Sequence, residues 1–221
     1  MADQYNNEVF MRLVDMNDKP ILAECRTEVT TDGDDLIYDY FNGQFFSVDD
    51  FSFGVNVLDE DAAADAGTAA TGKDKSSTTA VKPKATTSAF GKWKSASADE
   101  IKAMKFQLKV DDLKITRRYD RASPVLFQLC SQSVSLKSAS LVKRKVVGDD
   151  MLQTFLRYDF DELLITHINF QDAEVIKETI QFAFRKVQIQ YRTQNADGSL
   201  GDTSQMSWSY DAATRVNGPS K

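Results

Sequence analysis

The sequence predicts a mainly β fold: a closed or tightly packed two-sheet β-barrel, one short α-helix on its side, and a long flexible insertion. Three observations carry this. Apolar and polar residues alternate at period two along most of the chain. Turn signals, Asp32-Gly33, Asn42-Gly43, Gly148-Asp149 and Asp197-Gly198, separate many of the alternating runs. In three places the alternation slips by one residue, as happens where a strand bulges or passes between sheets. Slips of this kind suit a barrel or a tight sandwich. With 221 residues, 42% hydrophobic content and 14 Phe, the chain has material for the core of one large domain.

The elements follow in order. Strands are expected at 9–15 and 21–29. In the second, Ile21, Ala23, Cys25, Thr27 and Val29 face one way, and Leu22, Glu24, Arg26 and Glu28 the other. A strand at 36–41 precedes the Asn-Gly turn. Phe51, Phe53, Val55 and Val57 share a face, as do Met104, Phe106, Leu108 and Val110. Further strands are expected at 113–117, 134–145, 151–160, 163–170, 179–191 and 205–210. One helix is signalled over 120–132, with Ser123 as N-cap and Pro124 at the first helical position. Val125, Leu126, Leu129 and Cys130 would form its buried face. The slips fall between Val48 and Phe51, between Val110 and Leu113, and between Phe184 and Val187.

Residues 61–100 stand apart. Ala, Ser, Thr and Gly make up 25 of these 40 residues, and Val81, Phe90 and Trp93 are the only large apolar ones. Such a composition cannot offset its own ordering entropy, so a flexible insertion is expected, with a weak helix near 62–70 and Phe90 and Trp93 docking its downstream end. The domain reading is a single barrel domain over 1–221, interrupted by 61–100.

Chemistry finds little purchase. Gly67 to Asp74 has phosphate-loop spacing, but Asp74 stands where a magnesium-binding hydroxyl belongs and no apolar strand precedes it. His167 is the single histidine and is expected as a satisfied strand residue in phase with Leu163 and Ile165. Cys25 and Cys130 are expected as small buried thiols in a reducing cytoplasm. The doublets Asp34-Asp35, Asp49-Asp50, Asp111-Asp112, Asp149-Asp150 and Asp161-Glu162 put adjacent carboxylates on opposite strand faces, so they serve as turn and bulge residues. Lys143-Arg144-Lys145 is the densest short basic cluster, expected on a solvated or interface face. No catalytic residue, no cofactor and no metal site is expected. A net charge of −6 argues against a nucleic-acid partner. No run reaches the roughly 20 apolar residues of a membrane helix, and MADQYNNEVF shows no signal peptide.

Four stretches together resemble the Hcp family, the haemolysin-coregulated proteins that form the inner tube of bacterial type VI secretion systems. They are VFMRLVDMNDKPILAEC, FSVDDFSFGVN, the pair KITRRYDRASPVLFQLC and SLVKRK, and QFAFRKVQIQYRTQNADGSLGDTSQMSWSYD. The resemblance covers 9–57 and 105–215 and leaves the insertion unmatched. Two departures stand out: LLITHINFQDAE at 163–174 replaces a glycine-rich loop, and Tyr210 separates Trp208 from Asp211.

The resemblance implies a β-barrel with a side helix, closing into hexameric rings that stack into a hollow tube. It implies sheath, spike and effector proteins as partners, assembly in the cytoplasm, export without a signal peptide, and effectors carried or chaperoned in the lumen. It also places a ring-stacking arm at 31–44, TDGDDLIYDYFNGQ, with Ile37, Tyr38, Tyr40 and Phe41 as contact candidates. An ordinary hairpin packing these side chains on its own barrel is the other reading of that stretch. A tail-tube protein of a phage or phage-like particle and a monomeric secreted β-barrel effector are the alternative functions.

Overall fold

The computed structural model describes residues 8–25, 36–37, 40–41, 43–59, 106–147, 151–172, 174–195 and 199–209. The expected insertion at 61–100, with Phe90, Trp93 and the phosphate-loop look-alike, lies outside the described residues. The chain divides into two units, Gly54–Asp111, and Met1–Phe53 with Asp112–Lys221.

In the smaller unit, β4 (Val55–Asp59) pairs antiparallel with β5 (Phe106–Val110). Asn56 Nδ2 donates to Asp111 Oδ2 at 2.8 Å and the Asp111 N–H to Gly54 O at 2.9 Å, closing the end of this ribbon.

The larger unit holds β1 (Glu8–Asp15), β2 (Phe46–Ser47), β3 (Asp50–Ser52), β6 (Leu113–Arg118), helix α1 (Ser123–Ser131), β7 (Leu136–Val147), β8 (Met151–Gln171), β9 (Lys177–Gln194) and β10 (Leu200–Ser209). Its sheet runs β2-β1-β7-β8-β9-β6-β3, with β10 also on β9. β8 lies along one edge of β9; β6 and β10 share the other, paired to its first and second halves. The two ends of the path, β2 and β3, are halves of one segment. Within it the Val48 N–H reaches Val9 O at 2.9 Å and the Asp49 N–H reaches Thr116 O at 2.8 Å. A sheet whose end strands belong to one short segment is necessarily curled.

The inner face of this sheet carries the main core, including Met11, Leu13, Leu113, Ile115, Leu141, Phe160, Phe182 and, from α1, Leu126. Each fully buried Leu, Ile or Phe contributes about 1.5–3 kcal/mol relative to exposure, so period two decides which face turns inward. The architecture is mainly β with one short helix among the described residues. The expected closed two-sheet barrel is a finer statement than these pairings make.

The slips resolve into different devices. At Val48-Asp49 the chain leaves β1 and joins β6. At Asp111-Asp112 it leaves the β4–β5 sheet for the larger one. The third is no register shift: Phe184 and Val187 keep one alignment against Leu163 and Phe160. Instead both strands flip together. Asp161 and Glu162 are both exposed, as are Arg185 and Lys186, and Glu162 has φ 54°. The left-handed residue rotates the strand, and its partner follows in register.

That geometry overturns the expected break at 161–162. The strands expected at 151–160 and 163–170 are one 21-residue strand. A bulge between Ile165 and His167 then shifts the phase. His167 is therefore exposed and Ile168 packs on the core, the reverse of the expected facing.

The helix also departs in detail. Ala122, not Ser123, is the N-cap, without a side-chain cap. Ser123 opens the helix and Pro124 follows. Leu126 is buried and Leu129 and Cys130 pack on the core, but Val125 is exposed. At the C-terminus, the Ser133 N–H bonds Cys130 O and the Val134 N–H bonds Leu129 O, with Ser133 at φ 53°. This is a Schellman-type end with serine in the place glycine usually takes.

Residues 21–25 keep the expected alternation, with Ile21 and Ala23 buried and Leu22 and Glu24 exposed, yet form no strand. Both cysteines are free and half-buried rather than buried.

Candidate functional site: an anchored loop on the outer sheet face

The outer face of the sheet carries a cross-strand row, Phe10, Val142, Arg157, Gln190 and Gln205, each opposite the next on β1, β7, β8, β9 and β10. The row is apolar at the β1–β7 end and polar beyond. The apolar end needs cover, and a loop supplies it. Ile37, Tyr40 and Phe45 join Phe10 and Val142 in a second buried cluster. Phe45 packs edge-on against Phe10 at 5.3 Å and is tilted against Tyr40 at 5.5 Å.

Arg157 fastens this loop. It is 4% exposed, and its Nη1 donates to Leu36 O at 3.0 Å. Nη2 donates to Ser140 Oγ at 3.1 Å and to Asp159 Oδ1 at 2.7 Å, while Nε donates to Asp159 Oδ2 at 2.8 Å. Ser140 Oγ in turn donates to Asp159 Oδ1 at 2.6 Å, and the Tyr40 hydroxyl donates to Ser140 O. Asp159 thus balances the guanidinium charge, leaving the planar fork to grip a backbone carbonyl. The arrangement binds and orients a loop.

The loop is not the strand expected at 36–41. The Tyr40 N–H bonds Ile37 O at 3.1 Å and the Gln44 N–H bonds Phe41 O at 2.9 Å, two successive turns, and Gly43 takes φ 75°. Glycine suits that left-handed position because it has no Cβ to clash. Of the four contact candidates, Ile37 and Tyr40 are buried together in their own subunit and Phe41 is 57% exposed; Tyr38 lies outside the described residues. Arg157, Asp159 and Ser140 escaped the sequence reading. The available signal was two opposite charges two residues apart on the non-core phase of a strand, which places them side by side.

A second polar constellation sits under α1. Arg117 and Glu178 are both fully buried, Nε to Oε1 at 2.6 Å. Ser123 Oγ donates to Glu178 Oε1 at 2.9 Å and accepts from Arg117 Nη2 at 3.1 Å and from the Asp120 N–H at 3.1 Å. Asp120 also pairs with Arg117, and its Oδ1 accepts the Ala122 N–H at 2.8 Å. The Phe46 ring lies 4.1 Å beneath the guanidinium carbon. The carboxylates of Glu178 and Asp120 neutralise Arg117, while Asp120 and Ser123 also shape the helix start. This is why the Ser123 hydroxyl is unavailable as a cap.

The basic cluster splits by face. Arg144 is buried, with Nη2 donating to Leu152 O at 2.6 Å. Lys145 donates to Gln194 Oε1 at 2.9 Å and lies 4.8 Å from the Phe155 ring centre. Among the described residues, no group of three or more His, Cys, Asp or Glu is placed to hold a metal ion, and no helix is long and apolar enough to cross a membrane.

Comparison with known proteins gives consistent results. A family model described as "Type VI secretion system effector, Hcp" matches residues 92–191. Protein hcp1 of Pseudomonas aeruginosa is 27% identical over 96 residues, which are 42% of this chain and 59% of that protein. The match therefore spans less than two thirds of that relative's length. A solved structure titled "Structure of a type six secretion system protein" aligns with a TM-score of 0.58 at 16% identity, covering 95% of this chain and 98% of that one. Hcp1 from Salmonella typhimurium aligns with a TM-score of 0.54 at 16% identity, covering 95% and 99%. At these identities the structures establish likeness of fold, and the sequence matches tie that fold to the motifs around Arg117, α1 and β7–β9. Over residues 92–191 the chain is similar to the Hcp family.

Proposed function

We propose that this protein is a structural tube subunit of a type VI secretion system, with one closed-barrel domain interrupted at 61–100. Copies close into hexameric rings, rings stack into a hollow tube, and the tube is exported without a signal peptide, with effectors in its lumen. Sheath, spike and effector proteins are its partners, and its work is mechanical.

The observation that best supports this reading is the sheet itself, together with the family match. β8 and β9, 21 and 18 residues long, pair from Leu156 opposite Tyr191 to Gln171 opposite Lys177 with one bulge, packed on one face and largely polar on the other. Long continuous ladders resist shear, and a polar face can line a wet channel. The anchored loop presents Phe41 outward from a rigid base, which suits contact between rings.

Negative-stain imaging of the purified protein should show rings, and size-exclusion chromatography about six times the monomer mass. A monodisperse monomer at high concentration would sink the proposal.

A further inference from the structure

We propose that the two ends of β9 carry the two halves of one heterologous contact between copies of this chain; the inference rests on the ring-forming reading above. Near its start lies a continuous exposed apolar patch. The Tyr119 N–H bonds Ile176 O at 3.0 Å, and the Phe170 ring lies 5.9 Å from Tyr119 and 6.1 Å from Phe127. Together with Val175, these five side chains are each 43–55% exposed. Each aromatic leaves roughly 100 Å² in solvent, so the patch reaches about 400–500 Å², near the top of what a lone surface shows. A stable interface buries about 800 Å² per partner, a little over half of it apolar. The patch supplies that apolar share.

The other end of β9 offers the complement. Tyr191 is 42% exposed and Met206 53%, near neighbours on one face of β9 and β10, and Tyr191 contacts the Phe155 ring at 6.3 Å. Beside them, β10 pairs only with β9 among the described residues. An apolar patch beside an open strand edge is a surface that a partner covers.

The two patches lie some 14 residues apart along one strand, roughly 45 Å at 3.3 Å per residue. A patch meeting its own copy would close a dimer and leave the other patch bare. Patch one meeting patch two covers both on every subunit and repeats head to tail, the contact from which rings are made.

The test uses the full chain with Phe170→Asp in one variant and Met206→Asp in the other, both exposed positions, with folding checked by circular dichroism and melting temperature. Analytical ultracentrifugation should find each variant alone as a monomer and an equimolar mixture as a one-to-one dimer, since one intact joint survives. Rings persisting in either variant would overturn the pairing while leaving the tube reading standing. A dimer formed by Met206→Asp alone would mean that patch one meets itself. A lowered melting temperature with unchanged ring mass would mean that the chain's own residues cover the patch. A monomeric unsubstituted chain would overturn the ring reading and the pairing with it.

Discussion

Two buried guanidinium groups do different work. Arg117 is enclosed with Glu178, Ser123 and Asp120, so removing Arg117 strands the fully buried Glu178 carboxylate in the core. Breaking such a pair costs about 3–5 kcal/mol, whereas exchanging both partners for apolar residues of similar volume is often neutral. Arg117→Met is therefore expected to destabilise by about 3 kcal/mol or more in urea unfolding, and adding Glu178→Leu to recover most of it. Arg157 instead holds a loop, and the loop's aromatics divide accordingly. Tyr40→Ala should cost about 3 kcal/mol, as large aromatic truncations in cores do. Phe41→Ala should leave the melting temperature nearly unchanged and, under the proposed function, reduce ring stacking seen by electron microscopy. Tyr158 packs against Phe51, Phe53 and Phe160, and burial holds its pKa above the ordinary tyrosine value of 10.0. Its folded pKa is raised, so its contribution is whole below pH 10 and is lost as pH rises through the folded value. The alkaline fall in melting temperature should flatten in Tyr158→Phe.

The element most at odds with its sequence signals is β8. Asp161-Glu162 reads as a turn, yet the ladder runs through it because Arg185 and Lys186 of β9 rotate in step. A left-handed residue other than glycine costs on the order of 1–2 kcal/mol. The Glu162–Arg185 ion pair at 2.6 Å is about half-exposed on both sides and offsets at most about 1 kcal/mol. Glu162→Gly is thus expected to be neutral or slightly stabilising in chemical denaturation. Glu162→Val should cost about 1–3 kcal/mol, because a β-branched side chain suits that conformation least. If valine were tolerated as well as glycine, strain at this position would not be what turns the strand pair. Helix α1 shows the opposite relation between sequence and fold: its span was nearly right, but its first hydroxyl serves the ion pair beneath it.

At the level of the assembled molecule, the proposed function makes export a property of the tube. The protein should accumulate in culture supernatant and vanish from it when the contractile apparatus is deleted. Persistent export in that background would point to another route.

Legible in the chain itself were most of the period-two strands though not those expected at 21–29 and 36–41, the helix near Pro124, the hairpin of β9 and β10, and the three phase flips, because each is set by neighbours within a few residues. The Hcp motifs were legible for the same reason: they are short. Strand order, the joining of β2 and β3 across the curled sheet, and the inversion at His167 were not, since each depends on partners dozens of residues away. The loop shows the division most plainly. Its aromatic content was visible, but whether Ile37 and Tyr40 turn inward depended on bare apolar surface at Phe10 and Val142, and on Arg157, 121 residues from the Leu36 carbonyl it holds. Hydrophobic burial acts on surfaces that exist only once distant strands have paired.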